Sequence, residues 1–479
     1  MNYGLVSQTI GKIMLIIGAL FSLPVLVSFI YSDGCSLAFL LPMAIMLFAG
    51  FLMTRVKKEQ KGLYIGEGFL IVTLTWILIS VFSAAAFVLS GAIPSPIDAL
   101  FESVSGFTTT GATILAEIES LPESVLFWRS FTHWIGGMGV LVFILAITTN
   151  GESKNMYIMR AESPGPKAGK IVSKTKDTAR ILYLIYVGLT VLETAFLLFG
   201  GMPLFDSVVT AFATAGTGGF AIKNASIAAY DSAYIDYVIS IFMMLFGINF
   251  TVYFLILTGK LRDAFKNDEV KWYLLIILAS TLAITAIILN YVGNIADAFR
   301  EAFFTVTSTI STTGFILTDY EVWPTAAKII IFLLMFVGGC SGSTGGGMKV
   351  IRILIMSKLA ARELKLAGSP RTIRSVSIDN KAVNPEIVRG VAAYFIVFML
   401  TFAVSTLLLA FDNLTITEAI SGVATCINNV GPGFESIGPV GNFSGLSVFS
   451  KLVLIIDMLL GRLELFPILA LFSPSIWKV

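Results

Sequence analysis

Phe107-Thr108-Thr109-Thr110-Gly111, Phe212-Ala213-Thr214-Ala215-Gly216, Ile310-Ser311-Thr312-Thr313-Gly314 and Ile427-Asn428-Asn429-Val430-Gly431 share one chemistry. Counted back from each glycine, position minus four is large and apolar (Phe107, Phe212, Ile310, Ile427) and position minus two is polar (Thr109, Thr214, Thr312, Asn429). Position minus six carries a hydroxyl each time: Ser105, Thr210, Ser308 and Thr425. Self-similarity at a regular interval decides architecture before any local signal does. The glycines stand 105, 98 and 117 residues apart, so each unit is a small domain rather than a solenoid repeat.

Membrane surrounds these units. With 56% hydrophobic and 13% charged residues and a mean hydropathy of +0.88, the chain lies outside the soluble globular range. Ten stretches are long enough to cross a bilayer as helices of roughly 20 residues: 10–30, 37–53, 68–89, 127–147, 182–199, 234–257, 272–292, 326–355, 391–409 and 449–472. The segments ahead of each glycine, starting near Asp98, Pro203, Glu301 and Glu418, hold only about 13 residues and must enter and return. Acids or proline at those starts suit a helix N-terminus, with the C-terminal end aimed at the glycine.

The predicted fold is an all-α membrane protein: four parallel units of spanning helix, short re-entrant helix with loop, and second spanning helix, set around one pore in pseudo-fourfold symmetry. Two additional transmembrane helices precede them. The expected boundaries are 1–62 for the N-terminal helices, 63–160, 161–268 and 269–375 for the first three units, and 376–479 for the fourth. The basic stretches 55–61, 154–180, 260–271 and 349–374 face the cytoplasm by the positive-inside rule, leaving both termini inside and the four glycines toward the outer face. Topology explains the basic residues, and the net charge of +2 gives no reason to expect nucleic acid. The acidic loop with Glu117, Glu119 and Glu123 either concentrates cations at the mouth or is merely solvated.

Non-helical backbone at membrane depth is tolerated only where protein buries it or it lines a watery path. Glycine permits the backbone conformations that turn carbonyls toward a common axis. Rings of carbonyls replace the hydration shell of a selected ion, as in the four-loop potassium channel filter. The expected cargo is a dehydrated monovalent cation, held by Thr109, Thr110, Gly111, Thr214, Ala215, Gly216, Thr312, Thr313, Gly314, Asn429, Val430 and Gly431. The run Gly338, Gly339, Cys340, Ser341, Gly342, Ser343, Thr344, Gly345, Gly346 and Gly347 contains six glycines, and at about 1 kcal/mol per glycine it cannot hold a regular helix. The second helix of the third unit should break there. Close helix packing through small residues is the alternative. Arg462 places one charge in one quarter of the ring, where an intramembrane arginine faces a cavity or a partner; a barrier to cations and an ion pair with Asp457 or Glu464 are the two readings. His133 beside Trp134 reads as an interfacial belt residue rather than a proton-coupling group.

The motifs Phe131-Thr132-His133-Trp134-Ile135-Gly136-Gly137-Met138-Gly139, Met244-Leu245-Phe246-Gly247-Ile248-Asn249-Phe250, 338–349 and Leu459-Leu460-Gly461-Arg462-Leu463-Glu464 complete a pattern that resembles the Trk/Ktr/HKT superfamily of potassium transport proteins. The likeness covers essentially the whole chain and is strongest to the bacterial Trk membrane subunit. It implies potassium uptake across the cell membrane of a prokaryote, the inner membrane in a Gram-negative cell, through a gated, channel-like subunit with the four glycines in its selectivity filter. It assigns a gating loop to 338–347. It further implies a homodimer with one pore per subunit, and a cytoplasmic ring of nucleotide-binding regulatory subunits docked on the basic inner surface that includes 362–374. Neither partner is derivable from the residues alone. An alternating-access symporter coupled to protons or sodium is the competing class. Three scattered cysteines exclude a disulfide framework, and no P-loop or dinucleotide fingerprint is present; no enzyme chemistry and no cofactor is expected, only K+ as cargo and lipid as surroundings.

Overall fold

The computed structural model describes residues 2–57, 65–139, 175–368 and 375–474. Parts of the expected basic segments 55–61, 154–180 and 349–374, and residues 140–147 of the fourth expected span, lie outside them. Among the described residues, six helical stretches are long and apolar enough to cross a membrane. A seventh is a pair of helices bent by 93°.

The N-terminal addition is α1 (Tyr3–Leu20), α2 (Ser22–Tyr31) and α3 (Ser36–Thr54). A Cβ on Gly11 would stand 2.8 Å from Gly50 O, and one on Gly50 the same distance from Gly11 O, so α1 and α3 cross with backbones nearly touching. Asp33 ties this hairpin to the rest: its carboxylate accepts from the Ser124 amide at 2.9 Å, at the start of α6 (Glu123–Gly137).

The units then repeat with closely matched lengths. The first helices α4 (Ile65–Leu89), α7 (Thr175–Phe199), α12 (Asp268–Val292) and α16 (Pro385–Leu409) each have 25 residues, about 37 Å at the α-helical rise. The short helices are α5 (Pro96–Phe107), α8 (Leu204–Gly216), α13 (Ile295–Ile310) and α17 (Ile416–Ile427). Every one carries an acid at its third position, Asp98, Asp206, Asp297 and Glu418, where the first-turn amides and the dipole favour negative charge. In α17 this becomes a full capping box between Thr415 and Glu418. The third short helix starts at Ile295, not near Glu301, because Asn294 caps it by accepting from Ala296 N.

Within the described residues, all four second helices end early. α6, α9 (Ala233–Phe246), α14 (Thr325–Val337) and α18 (Val448–Arg462) run for only 13 to 15 residues, about 20 Å, too short to cross the hydrocarbon. Only the break after Val337 was expected. In the second unit the chain turns at Gly247 to Asn249 into α10 (Phe250–Leu257), followed by the short α11 (Leu261–Phe265). Asn249 caps the new helix through Thr251 N. In the third, α15 (Val350–Gly368) resumes after the glycine run. In the fourth, Glu464 and Leu465 adopt left-handed φ of 59° each before α19 (Phe466–Leu471).

The short helices close a circle. Each packs within its own unit and also against the second helix of the unit before it: α8 on α6, α13 on α9, α17 on α14, and α5 on α18. Large apolar side chains such as Leu37, Phe48, Phe199 and Leu400 remain exposed on the perimeter, as lipid-facing surfaces require. The largest core cluster joins the N-terminal helices to α4, α5, α6 and α18.

Candidate functional site

Each short helix ends in one repeated backbone motif. The amides of Thr110, Gly218, Thr313 and Val430 donate to the carbonyls of Ser105, Ala213, Ser308 and Thr425, all at 2.8 to 2.9 Å. One residue earlier stands a left-handed φ on Thr109, Thr217, Thr312 and Asn429, between 54° and 60°; one residue later stands a left-handed glycine, Gly111, Gly219, Gly314 and Gly431. These conformations are rare for residues with a Cβ and easy for glycine. In this hydrogen bond and in these two backbone angles the four segments correspond residue for residue.

This equivalence corrects the second unit. Thr214, Ala215 and Gly216 are the last turn of α8, and Thr214 Oγ1 merely donates back to Thr210 O at 2.9 Å. The matching segment is Thr217, Gly218 and Gly219, three residues on. The sequence Thr214-Ala215-Gly216-Thr217-Gly218-Gly219 contains two threonine-to-glycine steps, and apolar and hydroxyl matches upstream pick the wrong one. Gly216 is small for another reason: a Cβ there would stand 2.3 Å from His133 O.

The glycines form a ring. A Cβ on Gly111 would stand 2.0 Å from Gly218 O, on Gly219 2.0 Å from Thr313 O, on Gly314 2.1 Å from Val430 O, and on Gly431 2.8 Å from Thr110 O. Going from one unit to the next, the contact returns to its start. On one side of the ring opens a vestibule of about 170 Å³ whose lining includes Gly111, Gly219, Gly314 and Gly431. Glu117 and Glu119 at its edge are committed to Asn224, bridging the loops of the first two units. On the same side, hydrogen bonding from the Ser436 hydroxyl and then from the Thr415 amide holds the half-buried Glu418 carboxyl below the usual value of 4.5.

The glycine run occupies the opposite side. The Gly346 amide donates to Thr312 Oγ1 at 2.6 Å and the Gly347 amide to Asn428 O at 2.9 Å. Cys340 N reaches Gly247 O at 2.9 Å, and Thr344 Oγ1 reaches Phe246 O at 3.2 Å. The bend of the second unit thus supplies the carbonyls on which the loop of the third unit rests. Gly345 admits no Cβ without approaching Ser311 O to 2.8 Å, and Gly346 none without approaching Asn428 O to 2.4 Å. Close approach to the ring, rather than flexibility alone, is what selects glycine here.

Arg462 stands beside this loop. Its Nη1 donates to Thr344 O at 3.0 Å and to Thr109 Oγ1 at 3.3 Å; its Nη2 donates to Gly137 O at 2.7 Å and also to Gly136 O. One side chain from the fourth unit therefore joins the end of α6, the ring's first segment and the loop of the third unit. Glu464, a candidate partner by sequence, instead pairs with Arg352 on α15, whose guanidinium lies 4.0 Å from the Tyr394 ring. Asp457, the other candidate, accepts from Ser405 Oγ at 2.7 Å. Lys349 is buried and donates to Gly345 O, bracing the loop from its far end.

Two residues behind the ring escaped sequence reasoning. Arg129 and Glu102 form an ion pair at 2.7 Å with side chains only 1% and 0% exposed. Arg129 also donates to Ala221 O at 3.2 Å and lies 4.2 Å from the Phe220 ring. His133 is fully buried rather than interfacial. No spacing or motif distinguished it from a belt residue; only the fold brings it against the second segment. Among the described residues, no cluster of His, Cys, Asp or Glu could hold a metal ion.

Residues 38–479 match the family model described as TrkH, cation transport protein. The chain is 36% identical over 486 residues to the Trk system potassium uptake protein TrkH of Salmonella typhimurium, covering all of both sequences. It is 35% identical over 474 residues to the Trk system potassium uptake protein TrkI of Halomonas elongata, covering 98% of this chain and 96% of that one. The crystal structure of the potassium transporter TrkH from Vibrio parahaemolyticus superimposes with a TM-score of 0.90 at 32% identity, covering 100% of both chains.

Proposed function

The chain belongs to the TrkH family of cation transport proteins, and on that premise we propose that it carries potassium across the cell membrane of a prokaryote through the ring of four glycine segments. It is a membrane transport protein, not an enzyme, and potassium is its cargo. The observation that carries this reading is the closed, fourfold succession of glycine against neighbouring carbonyl. Such a ring presents main-chain oxygens in place of water around an alkali ion. The coordinating set becomes Thr109, Thr110, Gly111, Thr217, Gly218, Gly219, Thr312, Thr313, Gly314, Asn429, Val430 and Gly431. The C-terminal ends of α5, α8, α13 and α17 add partial negative charge toward the same centre.

The loop 338–347 and Arg462 act as the gate, lying across the exit from the ring. The vestibule faces outward; Arg55, Lys57, the basic face of α15 and both termini face the cytoplasm. A homodimer, with a ring of nucleotide-binding subunits docked on the basic inner surface, is the assembly that family likeness supports. Planar-bilayer recording from the purified protein tests the reading: unitary potassium currents with sodium strongly disfavoured are expected, and equal permeation of the two ions would refute it. A coupled symport has one observation in its favour, the carboxyl of Glu193 buried on α7; strict co-transport stoichiometry in proteoliposomes would decide for it.

A further inference from the structure

His133 occupies a position that only the three-dimensional arrangement reveals. Its Nδ1 lies 2.7 Å from Gly106 O, next to the end of α5, and its Nε2 lies 3.2 Å from the Phe220 amide nitrogen, the residue directly after Gly219. A carbonyl can only accept and an amide can only donate. Nδ1 therefore carries the proton and Nε2 is bare. The ring also fills the space a side chain would need at Gly218, where a Cβ would stand 2.3 Å from the imidazole. Its centroid lies 4.2 Å from that of the Phe220 ring. Beside it, Arg129 holds Ala221 O.

We propose that His133 is a positioning residue for cation selection, fixing the second filter segment by accepting the Phe220 amide at Nε2, while the Nδ1 bond to Gly106 O serves to keep Nε2 bare. This rests on the glycine ring being the filter. In the ring, Gly219 abuts Thr313 O and Gly218 O abuts Gly111. A shift of the second segment therefore alters the cage on both sides of it. Among the described residues, a histidine joining a short helix to its neighbour's segment occurs only at this junction. At the junction of the fourth and first units, Asn429 Nδ2 reaches Thr110 Oγ1 at 2.9 Å instead.

Two polar substitutions separate positioning from simple support. His133→Asn places an amide where Nδ1 sits, keeping the bond to Gly106 O while leaving the Phe220 amide without an acceptor. His133→Gln reaches the Phe220 amide with Oε1 and gives up the bond to Gly106 O. Potassium-to-sodium permeability ratios are measured from reversal potentials in bilayers, with monodispersity of each purified variant as the folding control. In His133→Asn the ratio falls about tenfold, the effect of one buried amide losing its acceptor. In His133→Gln it stays close to that of the unaltered protein. Equal ratios in both folded variants, or a loss confined to His133→Gln, would overturn the proposal. If His133→Asn does not fold, His133→Met, which offers the Phe220 amide no comparable acceptor, takes its place, and an unmoved ratio in it counts against the proposal. Absence of selectivity in the unaltered protein would sink the filter reading itself and is a separate outcome.

Discussion

Replacing Arg462 with glutamine should raise cation flux on the order of 100-fold. The guanidinium lies 3.3 Å from Thr109 Oγ1, at the rim of the glycine ring. An ion one oxygen contact beyond that atom stands about 6 Å from the charge, and two unit charges at that separation repel by about 3 kcal/mol at an effective dielectric of about 20. Every 1.4 kcal/mol is a factor of about ten in a rate governed by that barrier. Glutamine removes the charge, keeps one donor for Thr344 O or Gly137 O, and is short enough to leave the loop partly unheld. Rubidium-tracer uptake into proteoliposomes at matched protein density measures the change, and unitary conductance separates barrier height from open probability. If the folded variant conducts at the unaltered rate, Arg462 is a strut between units and contributes nothing to the barrier.

Gly219→Ser should reduce potassium-over-sodium selectivity, since its Cβ would stand 2.0 Å from Thr313 O at a left-handed φ of 74°; an unmoved reversal potential would return the second segment to Thr214, Ala215 and Gly216. Glu102→Gln leaves the Arg129 charge buried with a weaker partner and should cost about 3 kcal/mol of stability, visible as a lowered midpoint in a detergent thermal melt; an unchanged midpoint would mean that Ala221 O and the Phe220 face suffice. Hydrogen bonds favour the charged form of Glu418, so its stabilisation is complete above the unfolded-state value near 4.5 and disappears as pH falls through the lower folded-state value. Melting temperature should therefore decline below about pH 4.5 more steeply in the unaltered protein than in Glu418→Gln; parallel curves would show that the capping box does not report on this acid.

What hydropathy could reveal was continuous length, and the four 25-residue first helices were legible for that reason. Discontinuity was legible only where glycine was dense. The run 338–347 announced its break, whereas Gly247-Ile248-Asn249 is a single glycine inside an apolar stretch, and the bend there is stabilised by Asn249 capping and by carbonyls given to the loop of another unit. Glu464 and Leu465 carry no turn signal, and their left-handed backbone is compensated by the Arg352 pair and by burial of Leu465. In the second unit, local matching preferred Gly216 over Gly219 because position preferences near a helix end look alike three residues apart. Contacts around the ring distinguish them, and those lie on other units. His133 was obscure for a related reason: its partners, Gly106 and Phe220, are 27 and 87 residues away.

The main chain of the ring is fourfold, but its lower rim is not. Thr109 Oγ1 accepts from Arg462, and Thr312 Oγ1 accepts from the Gly346 amide. Thr217 Oγ1 turns back to Gly216 O at 2.6 Å, and Asn429 Nδ2 goes to Met458 O at 3.0 Å as well as to Thr110. The proposed coordination by carbonyls would need only the shared backbone, which leaves these four side chains available for different partners. Two of them, in the first and third units, are tied to the glycine loop or to the arginine that grips it. The other two bind only fixed protein. A displacement of the loop by one hydrogen-bond length would then release half of the rim while the remaining half keeps the ring assembled. On the proposed reading of the ring as filter and the loop as gate, breaking symmetry in the side chains, with symmetry kept in the main chain, would let one pore hold its ion cage and still open from one side.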